Sequence, residues 1–528
     1  MRTFSIKNRL NYESYFPLIF TFIFIILSII LISNHEYWLD EAHHWFIVSE
    51  SNSINELVEN LRDGAGTPFL WHIIIYFISH YIIDNIIIIK IFSLTISTSI
   101  AFLFLKYAPF NKIIKVLFIF GYFPFFEYSI ISRTYSLGIL FMIIFCILYE
   151  KKYKRLILIS IVLFLMAQTT TYAFLISIAL SISLGIELIL DFKKVKKEIK
   201  VYKILISALI IIVGIILFFW QIGDQLKGNY WEASARSIIN RSFRQYEYSL
   251  LTFLPNIIKV YFQVPDVKLN FWWDSNLLIS SISNINLNFL IPIISLVLLI
   301  IPIFILKRRV ILYYLLGTAF LFSFIVLVGK EFAGRLRHFG HIFILFILCL
   351  WIGEKNNNIY LLKINKNFFL KFSKFFVLLV LIFSIIGSSI AFYYDYNYPF
   401  APEKEFAEYL NQKYDINNTF IVGYRDTNFV AVALYLDKDI YYPQINKISK
   451  NTYWKNRLHE MSPDDIFKKA HSLTNSKEKT IVVLEGPIME NVDSKHILEN
   501  YGFKKVDSKY CDSIVTPIRF HIYEFIEE

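Results

Sequence analysis

Long apolar runs recur through the first three quarters of this chain, and they restrict the fold more than any other feature. Phe16–Ser33 and Ile204–Trp220 are each long enough to cross about 30 Å of hydrocarbon as an α-helix. Because lipid offers the backbone no hydrogen-bond partners, such runs must be helical. With 56% hydrophobic residues among 528 and a mean hydropathy of +0.51, the sequence predicts a polytopic α-helical membrane protein.

Basic residues predict how the chain is oriented in the membrane. The net charge is +11, but Lys and Arg cluster in short links between apolar runs, which indicates orientation signals rather than nucleic-acid binding. Lys7 and Arg9 place the N-terminus in the cytoplasm, and we interpret the first run as an uncleaved helix. The links placed on the cytoplasmic side are 106–115, 151–155, 193–197, 307–309 and 354–374. Together they predict about eleven transmembrane helices and an external C-terminus.

One apolar run does not fit this alternation. Phe69–Ile83 is short and contains His72 and His80. If it crossed the membrane, the basic link 106–115 would fall outside, against the positive-inside rule. We therefore predict that this run is re-entrant or lies along the outer interface, as part of a first external loop over residues 34–85.

The composition changes after residue 394. Helical patterns such as Glu403–Gln412 then alternate with short β-rich runs such as Thr419–Gly423. This mixture predicts a transmembrane module over residues 1–394 and a small soluble α/β domain over residues 395–528 on the external face. The three cysteines lie far apart, two of them inside apolar runs, so they predict neither a disulfide framework nor a metal cluster.

Aromatic residues crowd the long external segment Ile222–Asn286, where Trp272 and Trp273 are adjacent. Tryptophan and tyrosine at this density favour the headgroup region of a bilayer. The stretch Leu250–Val264 within it is predicted to lie in the interface as an amphipathic segment.

Three charged clusters fall on the external side under this topology. Charges at membrane depth are expensive and tend to mark function, although a solvated turn or a headgroup contact is an alternative for each cluster. The first cluster is Asp40-Glu41 with His43, His44 and Trp45; the second runs from Glu127 through Arg133 to Tyr135; the third runs from Lys330 through Arg335 and Arg337 to His338.

Asp40 and Glu41 have two open interpretations. In one, they cap a juxtamembrane helix, where carboxylates suit the positive end of the helix dipole. In the other, a carboxylate acts as a general base, taking the proton from an acceptor hydroxyl as that hydroxyl attacks C1 of a sugar. A single displacement that inverts C1 requires one base and a stabilised leaving group.

The basic residues of the other two clusters suit that leaving group. A polyprenyl phosphate gathers negative charge as its bond to the sugar breaks, and guanidinium groups bind phosphate oxygens bidentately. Arg133, Arg335, Arg337 and Lys330 are therefore predicted to bind the phosphate. Lipid headgroups are the alternative ligands of Arg335 and Arg337, and Glu127 is the alternative partner of Arg133.

The paired histidines raise the question of a metal. His43 and His44 are adjacent, so on a helix their side chains point about 100° apart and do not share one ion easily. A divalent metal held by Asp40, Glu41 and His44 stays an alternative to plain surface histidines.

The order of these motifs resembles the GT-C superfamily of membrane glycosyltransferases. The nearest resemblance is to the bacterial branch similar to dolichyl-phosphate-mannose protein mannosyltransferases, glycosyltransferase family 39. It covers about residues 15–350. The motifs that carry it are Asp40-Glu41-Ala42 followed by Trp45, then Gly66-Thr67-Pro68-Phe69-Leu70, then Glu127-Tyr128 with Arg133-Thr134-Tyr135-Ser136-Leu137, and finally Arg335-Leu336-Arg337-His338.

The resemblance implies transfer of a sugar from a polyprenyl-phosphate carrier to an acceptor on the outer face of the cytoplasmic membrane. The acceptor is a protein, a lipid or a glycan, and the functional first-loop acid maps to Asp40, with Glu41 beside it. Some relatives carry Asp where this chain has Glu127. A lipid-linked saccharide flippase and a surface-polysaccharide polymerase or ligase are the alternatives. The predicted helices carry few charges, which favours chemistry at one face over transport across the membrane.

Overall fold

The computed structural model describes residues 2–64, 66–227, 253–268, 272–328, 335–355, 366–453, 457–458, 460–474, 479–485 and 492–526. The chain begins with a helical part and ends in a mixed α/β domain. The helices of the first part are α1 (Arg2–Asn34), α2 (Leu39–Ser49), α3 (Ile54–Gly64), α4 (Leu70–Tyr81), α5 (Ile87–Tyr107), α6 (Lys112–Ile119), α7 (Tyr135–Tyr149), α8 (Leu156–Ala167), α9 (Thr171–Leu190), α10 (Phe192–Glu198), α11 (Val201–Lys227), α12 (Leu277–Asn284), α13 (Leu290–Ile305), α14 (Arg308–Val328), α15 (Leu336–Lys355) and α16 (Lys366–Asn397).

The helical part is that of a multi-pass membrane protein. Within the described ranges, eight segments are long and apolar enough to cross a bilayer. Three shorter apolar helices, α7, α8 and α13, coincide with further predicted crossings. The prediction of a polytopic helical protein with about eleven such segments is confirmed.

A π-helical segment interrupts the helical bundle close to the second charged cluster. It spans Tyr122–Ile130, follows α6, and all nine of its residues are buried. Ser384 of α16 accepts the N–H of Tyr122 at 2.9 Å and so fixes the start of the segment. Wider π turns recur at functional sites because they re-aim side chains, and this one carries Glu127 and Tyr128.

The C-terminal domain is built on one six-stranded sheet with the order β3-β2-β1-β4-β6-β5. Strand β1 pairs in parallel with β2 and β4, and the other pairs are antiparallel. The elements are α17 (Pro402–Lys413), β1 (Thr419–Tyr424), α18 (Val430–Leu436), β2 (Ile440–Tyr442), β3 (Lys447–Ser449), α19 (Pro463–Ser472), β4 (Lys479–Glu485), α20 (Val492–Asn500), β5 (Phe503–Cys511) and β6 (Ile518–Phe525), with 3-10 turns at Ile416–Asn418 and Asp426–Phe429.

Side-chain alternation along the strands explains the layers of this domain. Successive residues of a strand point to opposite faces, so Ile421 packs with α17 and α18, while Val422 packs with α19 and α20. Both faces are apolar, as expected for a sheet covered on both sides. The predicted small α/β domain is confirmed.

The two adjacent tryptophans of the aromatic segment pack inside the protein. Trp272 is 1% exposed and Trp273 is also buried. The helical residues 253–261 likewise pack on protein, with Phe253 against Phe339 and the Tyr261 hydroxyl 3.1 Å from that of Tyr314. The aromatic density of the segment did not distinguish rings that face lipid headgroups from rings that pack on protein. Tyr230, Trp231, Tyr246 and Tyr248 of this segment lie outside the described ranges.

Helix α16 depends on one small residue for its close approach to the chain beside it. A Cβ added at Gly387 would collide with the backbone carbonyl oxygen of Gln263, whereas a Cβ at Gly185 of α9 would meet nothing within 4 Å. We expect Gly387→Ala to destabilise the protein by about 1–3 kcal/mol through overpacking. Gly185→Ala should be neutral or stabilising by up to about 1 kcal/mol. Thermal unfolding in detergent measures both, and equal midpoints would contradict this packing.

Candidate active site

The first turn of α2 presents two carboxylates whose surroundings differ. The helix begins at Leu39, so Asp40 and Glu41 both lie at its N-terminus, as the capping interpretation expects. The Glu41 carboxylate accepts the N–H of Trp38 at 3.3 Å, which satisfies a backbone donor that the helix leaves open. The capping interpretation is therefore correct for Glu41, while Asp40 has other partners.

Asp40 lies between two arginines that are distant in sequence. Its Oδ2 forms a close ion pair with Nη2 of Arg133 and lies 3.6 Å from Nη2 of Arg337. The Asp40 side chain is 25% exposed, whereas both guanidinium groups are nearly buried. The structure thus joins one residue from each predicted charged cluster. Asp40 comes from α2, Arg133 from the link before α7, and Arg337 from the first turn of α15.

Aromatic rings form the walls around these two guanidinium groups. Arg133 lies over Tyr135 at 4.9 Å and over Trp38 at 5.6 Å, measured to the ring centroids. Arg337 lies over Trp273 at 5.0 Å and over the same Trp38 at 5.5 Å. Cations stack favourably on such rings, more strongly where water is excluded, so the rings hold both side chains in place.

Several N–H groups of these arginines have no hydrogen-bond acceptor among the described residues. Within the described residues, Nε and Nη1 of Arg133 and Nε of Arg337 are buried and donate to no protein atom. Buried donors without acceptors are costly, and arginine binds oxyanions with parallel N–H groups. The arrangement therefore suits an anion that brings several oxygen acceptors close to Asp40.

Glu127 faces the same aromatic wall from the π-helical segment. Its Oε2 accepts hydrogen bonds from the Tyr122 hydroxyl and from Nε1 of Trp273, both at 3.1 Å, while its buried Oε1 has no hydrogen-bond partner. The alternative pairing of Glu127 with Arg133 is wrong, because Arg133 forms its ion pair with Asp40. The neighbouring Tyr128 hydroxyl donates to the backbone oxygen of Arg337 at 2.6 Å and fixes the start of α15.

Glu41 holds the second cluster against the first. It is fully buried, and its Oε1 accepts the N–H of Ser132 at 2.7 Å, one residue before Arg133. Its Oε2 lies 3.5 Å from Nε2 of His35, whose Nδ1 lies 2.9 Å from Asp395 near the end of α16. The sequence did not single out His35, because its partner is 360 positions away and leaves no local pattern.

The charge state of His35 follows from these two carboxylates. Burial by itself would lower the pKa of His35, but Asp395 and Glu41 outweigh that effect and raise the pKa to about 9. The imidazolium therefore balances two buried acids. Lys90 of α5 adds a second cation by donating to the backbone oxygen of His35 at 2.6 Å.

The remaining residues of the first cluster have partners other than the arginines. His43 Nδ1 lies 2.7 Å from Oδ1 of Asn451, and His44 Nδ1 lies 2.9 Å from Nε2 of His72 in α4. Burial, followed by the nearby His72, holds the pKa of His44 well below its ordinary value, so this ring is neutral. Trp45 is buried in the hydrophobic core.

The predicted metal ligands are not brought together. Asp40 faces arginines, Glu41 faces Ser132 and His35, and His44 faces His72. Among the residues that the structure describes, no group of three His, Cys, Asp or Glu side chains is placed to hold a metal ion.

The residues of the third cluster, at the start of α15, have different surroundings. Arg337 points into the site, whereas Arg335 is 68% exposed and lies 3.4 Å from Asp274. His338 stacks on Tyr172 with 4.7 Å between ring centroids, and its Nδ1 accepts the N–H of Arg335 at 3.0 Å. Lys330 lies outside the described residues.

Comparisons with known proteins found similarity to solved structures. No protein-family model matches the sequence, and no curated protein matches it. The chain is similar to the crystal structure of ArnT from Cupriavidus metallidurans bound to undecaprenyl phosphate, with 10% sequence identity and a TM-score of 0.40 over 96% of this chain and 97% of that chain. At that similarity, the interpretation of the site rests on its own side chains.

The buried His35 predicts a specific dependence of stability on pH. Because its pKa rises on folding from 6.5 to about 9, its contribution is fully present below pH 6.5 and is lost as the pH rises through about 9. The gap in thermal midpoint between the wild type and His35→Gln should therefore shrink between pH 6 and pH 10. His471→Gln, which removes an exposed histidine of α19, is the control. A gap that stays constant over this range would contradict the charge assignment.

Proposed function

We propose that the protein is a glycosyltransferase that moves a sugar from a polyprenyl-phosphate carrier to an acceptor on the outer face of the cytoplasmic membrane. The observation that carries the proposal is the convergence of Arg133 and Arg337 on Asp40 beside the rings of Trp38 and Trp273. A phosphate leaving group and an acceptor hydroxyl need these two kinds of side chain next to each other. The motif order that resembles the GT-C superfamily supports the same reaction.

The chemistry assigns one step to each charged group. The acceptor oxygen attacks C1 of the sugar while Asp40 takes the proton from that oxygen. The bond from C1 to the phosphate oxygen breaks, and polyprenyl phosphate leaves with the electron pair. Arg133 and Arg337 bind the phosphate oxygens as their charge grows. Because one base acts in one displacement, the configuration at C1 inverts.

Electrostatics supports this division of roles. Asp40 balances only one of the two guanidinium charges, and the unused N–H groups of Arg133 and Arg337 offer an anion more than one contact. Phosphate can therefore bind without first displacing Asp40. Glu41 is a positioning residue in this scheme, because its oxygens contact Ser132, Trp38 and His35.

The other predicted site residues surround Asp40, Arg133 and Arg337 in this proposal. Tyr135 supports Arg133, and His338 stacks on Tyr172 behind it. Glu127 offers its unpaired Oε1 to a hydroxyl of the sugar. Arg335 and Lys330 are assigned to the entrance, where a lipid headgroup or the carrier phosphate would pass. The N-terminus lies in the cytoplasm and the C-terminal domain outside.

The buried charges at the other end of the bundle do not favour transport. Lys152 and Glu187 form an ion pair at 2.5 Å, and the hydroxyls of Tyr149 and Tyr313 donate to the same carboxylate. Glu187 lies in the last turn of α9, so this cluster sits at a helix end rather than along a pathway. A flippase would require charges within the membrane that a passing ligand can reach.

Asp40→Asn tests the base. The variant keeps the shape of the side chain but cannot accept the proton, so kcat should fall by about 10²–10⁴-fold. Asp84→Asn, which changes an exposed aspartate of the same loop, should retain wild-type activity. Full activity of Asp40→Asn in a folded protein would rule out the assignment.

Arg337→Lys tests the phosphate site. Lysine keeps the charge but loses the planar pair of N–H groups, and a charge-assisted hydrogen bond contributes about 1.5–3 kcal/mol, or roughly 10–100-fold. We expect that loss in kcat/KM for the lipid-linked donor. Arg309→Lys, at the opposite end of the bundle beside Asp191, is the matched control. Equal losses in both variants would indicate a general effect on folding.

Purified protein separates transfer from translocation. Polyprenyl-phosphate sugar with a labelled lipid, incubated with the protein and acceptor extract in detergent, should release polyprenyl phosphate. In vesicles, translocation of the intact lipid-linked sugar without this release would favour the flippase and contradict the proposal.

A further inference from the structure

The C-terminal domain contacts the first external loop on both sides of Asp40. Three residues before it, the N–H of Tyr37 donates to the Tyr435 hydroxyl at 2.7 Å, and that hydroxyl donates to the Tyr37 carbonyl at 3.2 Å. Three residues after it, His43 Nδ1 lies 2.7 Å from Oδ1 of Asn451. These contacts of Tyr435 and Asn451 are called the clamp below.

The backbone of Tyr37 requires hydrogen-bond partners from outside the helices. It lies in the four-residue link between α1 and α2, where the backbone is in neither helix. One hydroxyl of α18 satisfies both its N–H and its C=O, as half-buried backbone groups require. The clamp thereby sets the direction in which the chain enters α2, which carries Trp38 at its start and Asp40 in its first turn.

The domain side of the clamp is itself held firmly. Oδ1 of Asn451 also accepts the N–H of Thr452 at 2.9 Å, so the amide cannot turn without losing that bond. The Thr452 hydroxyl bonds to the fully buried Asp426, which pairs with Arg457 at 2.6 Å. Burial lowers the pKa of His43, so its neutral ring donates from Nδ1 to a fixed acceptor.

We propose that Tyr435 and Asn451 are positioning residues through which the C-terminal domain holds Asp40 against Arg133 and Arg337. The inference rests on the proposed function, and it gives the domain a part in the reaction beyond covering the site. A displacement of about 1 Å in a catalytic group can cost about a hundredfold in rate. Loss of the clamp should therefore reduce kcat more than it changes KM for the donor, whose phosphate meets the arginines.

Small side-chain substitutions in the full-length protein test the clamp. Tyr435→Phe removes only the hydroxyl and should lower kcat by about 10–100-fold, with KM for the lipid-linked sugar changed by less than about threefold. Tyr414→Phe is the control, because its hydroxyl donates at 2.8 Å to Glu524 within the same domain. Asn451→Leu should lower kcat as well, and Asn451→Asp, which keeps an acceptor oxygen, should restore part of it. Wild-type kcat in both Tyr435→Phe and Asn451→Leu would overturn the proposal.

Hydrogen exchange tests the clamp without the reaction. The amide of Tyr37 should exchange faster in Tyr435→Phe than in the wild type or in Tyr414→Phe, while amides of the central strands stay unchanged. Unchanged exchange at Tyr37 would overturn the clamp whatever the activity. If the wild type transfers no sugar but Tyr37 is deprotected in Tyr435→Phe, the proposed function fails and the clamp stands.

Discussion

The arrangement of this end of the helical bundle depends on one ion cluster, in which the Asp40 carboxylate is shared by Arg133 and Arg337. Removing charges from water is costly, and each is tolerated here because the others are present. Three distant segments must end at the same place to form the cluster. The π-helical segment serves this arrangement, because Tyr128 binds the backbone of Arg337 and Ser132 follows two residues after the segment ends.

A second buried group keeps that cluster in shape. Asp40 and Glu41 are adjacent in the chain, Glu41 binds the N–H of Ser132, and Arg133 returns to Asp40. This closed ring is joined by His35 to Asp395 at the end of the last membrane helix. Asp40 is thus connected through short, charged contacts to the helices of the bundle, and such supporting contacts preserve the geometry of a site.

Hydropathy and the positive-inside rule predicted the spans and placed the clusters that contain Asp40, Arg133 and Arg337 on the same side of the membrane. They did not predict that residues close together in the sequence differ in burial and in their partners. Glu41 is buried and Asp40 is partly exposed. Arg337 is nearly buried beside Asp40, whereas Arg335 is exposed beside Asp274, although one residue separates them in the sequence. These differences come from helix phase and from tertiary partners, which a local pattern does not encode. The burial of Trp273 was not predicted either, because the aromatic density of a segment does not indicate which of its rings pack on protein.

Equilibrium binding of a short-chain polyprenyl phosphate is the most direct test of the central claim that Arg133 and Arg337 form a phosphate site beside Asp40. Arg133→Gln and Arg337→Gln should each weaken binding by roughly 10–100-fold, because each removes a charge-assisted contact of about 1.5–3 kcal/mol. Arg309→Gln should bind like the wild type. Equal affinity in all four folded proteins would show that these two arginines do not form the phosphate site.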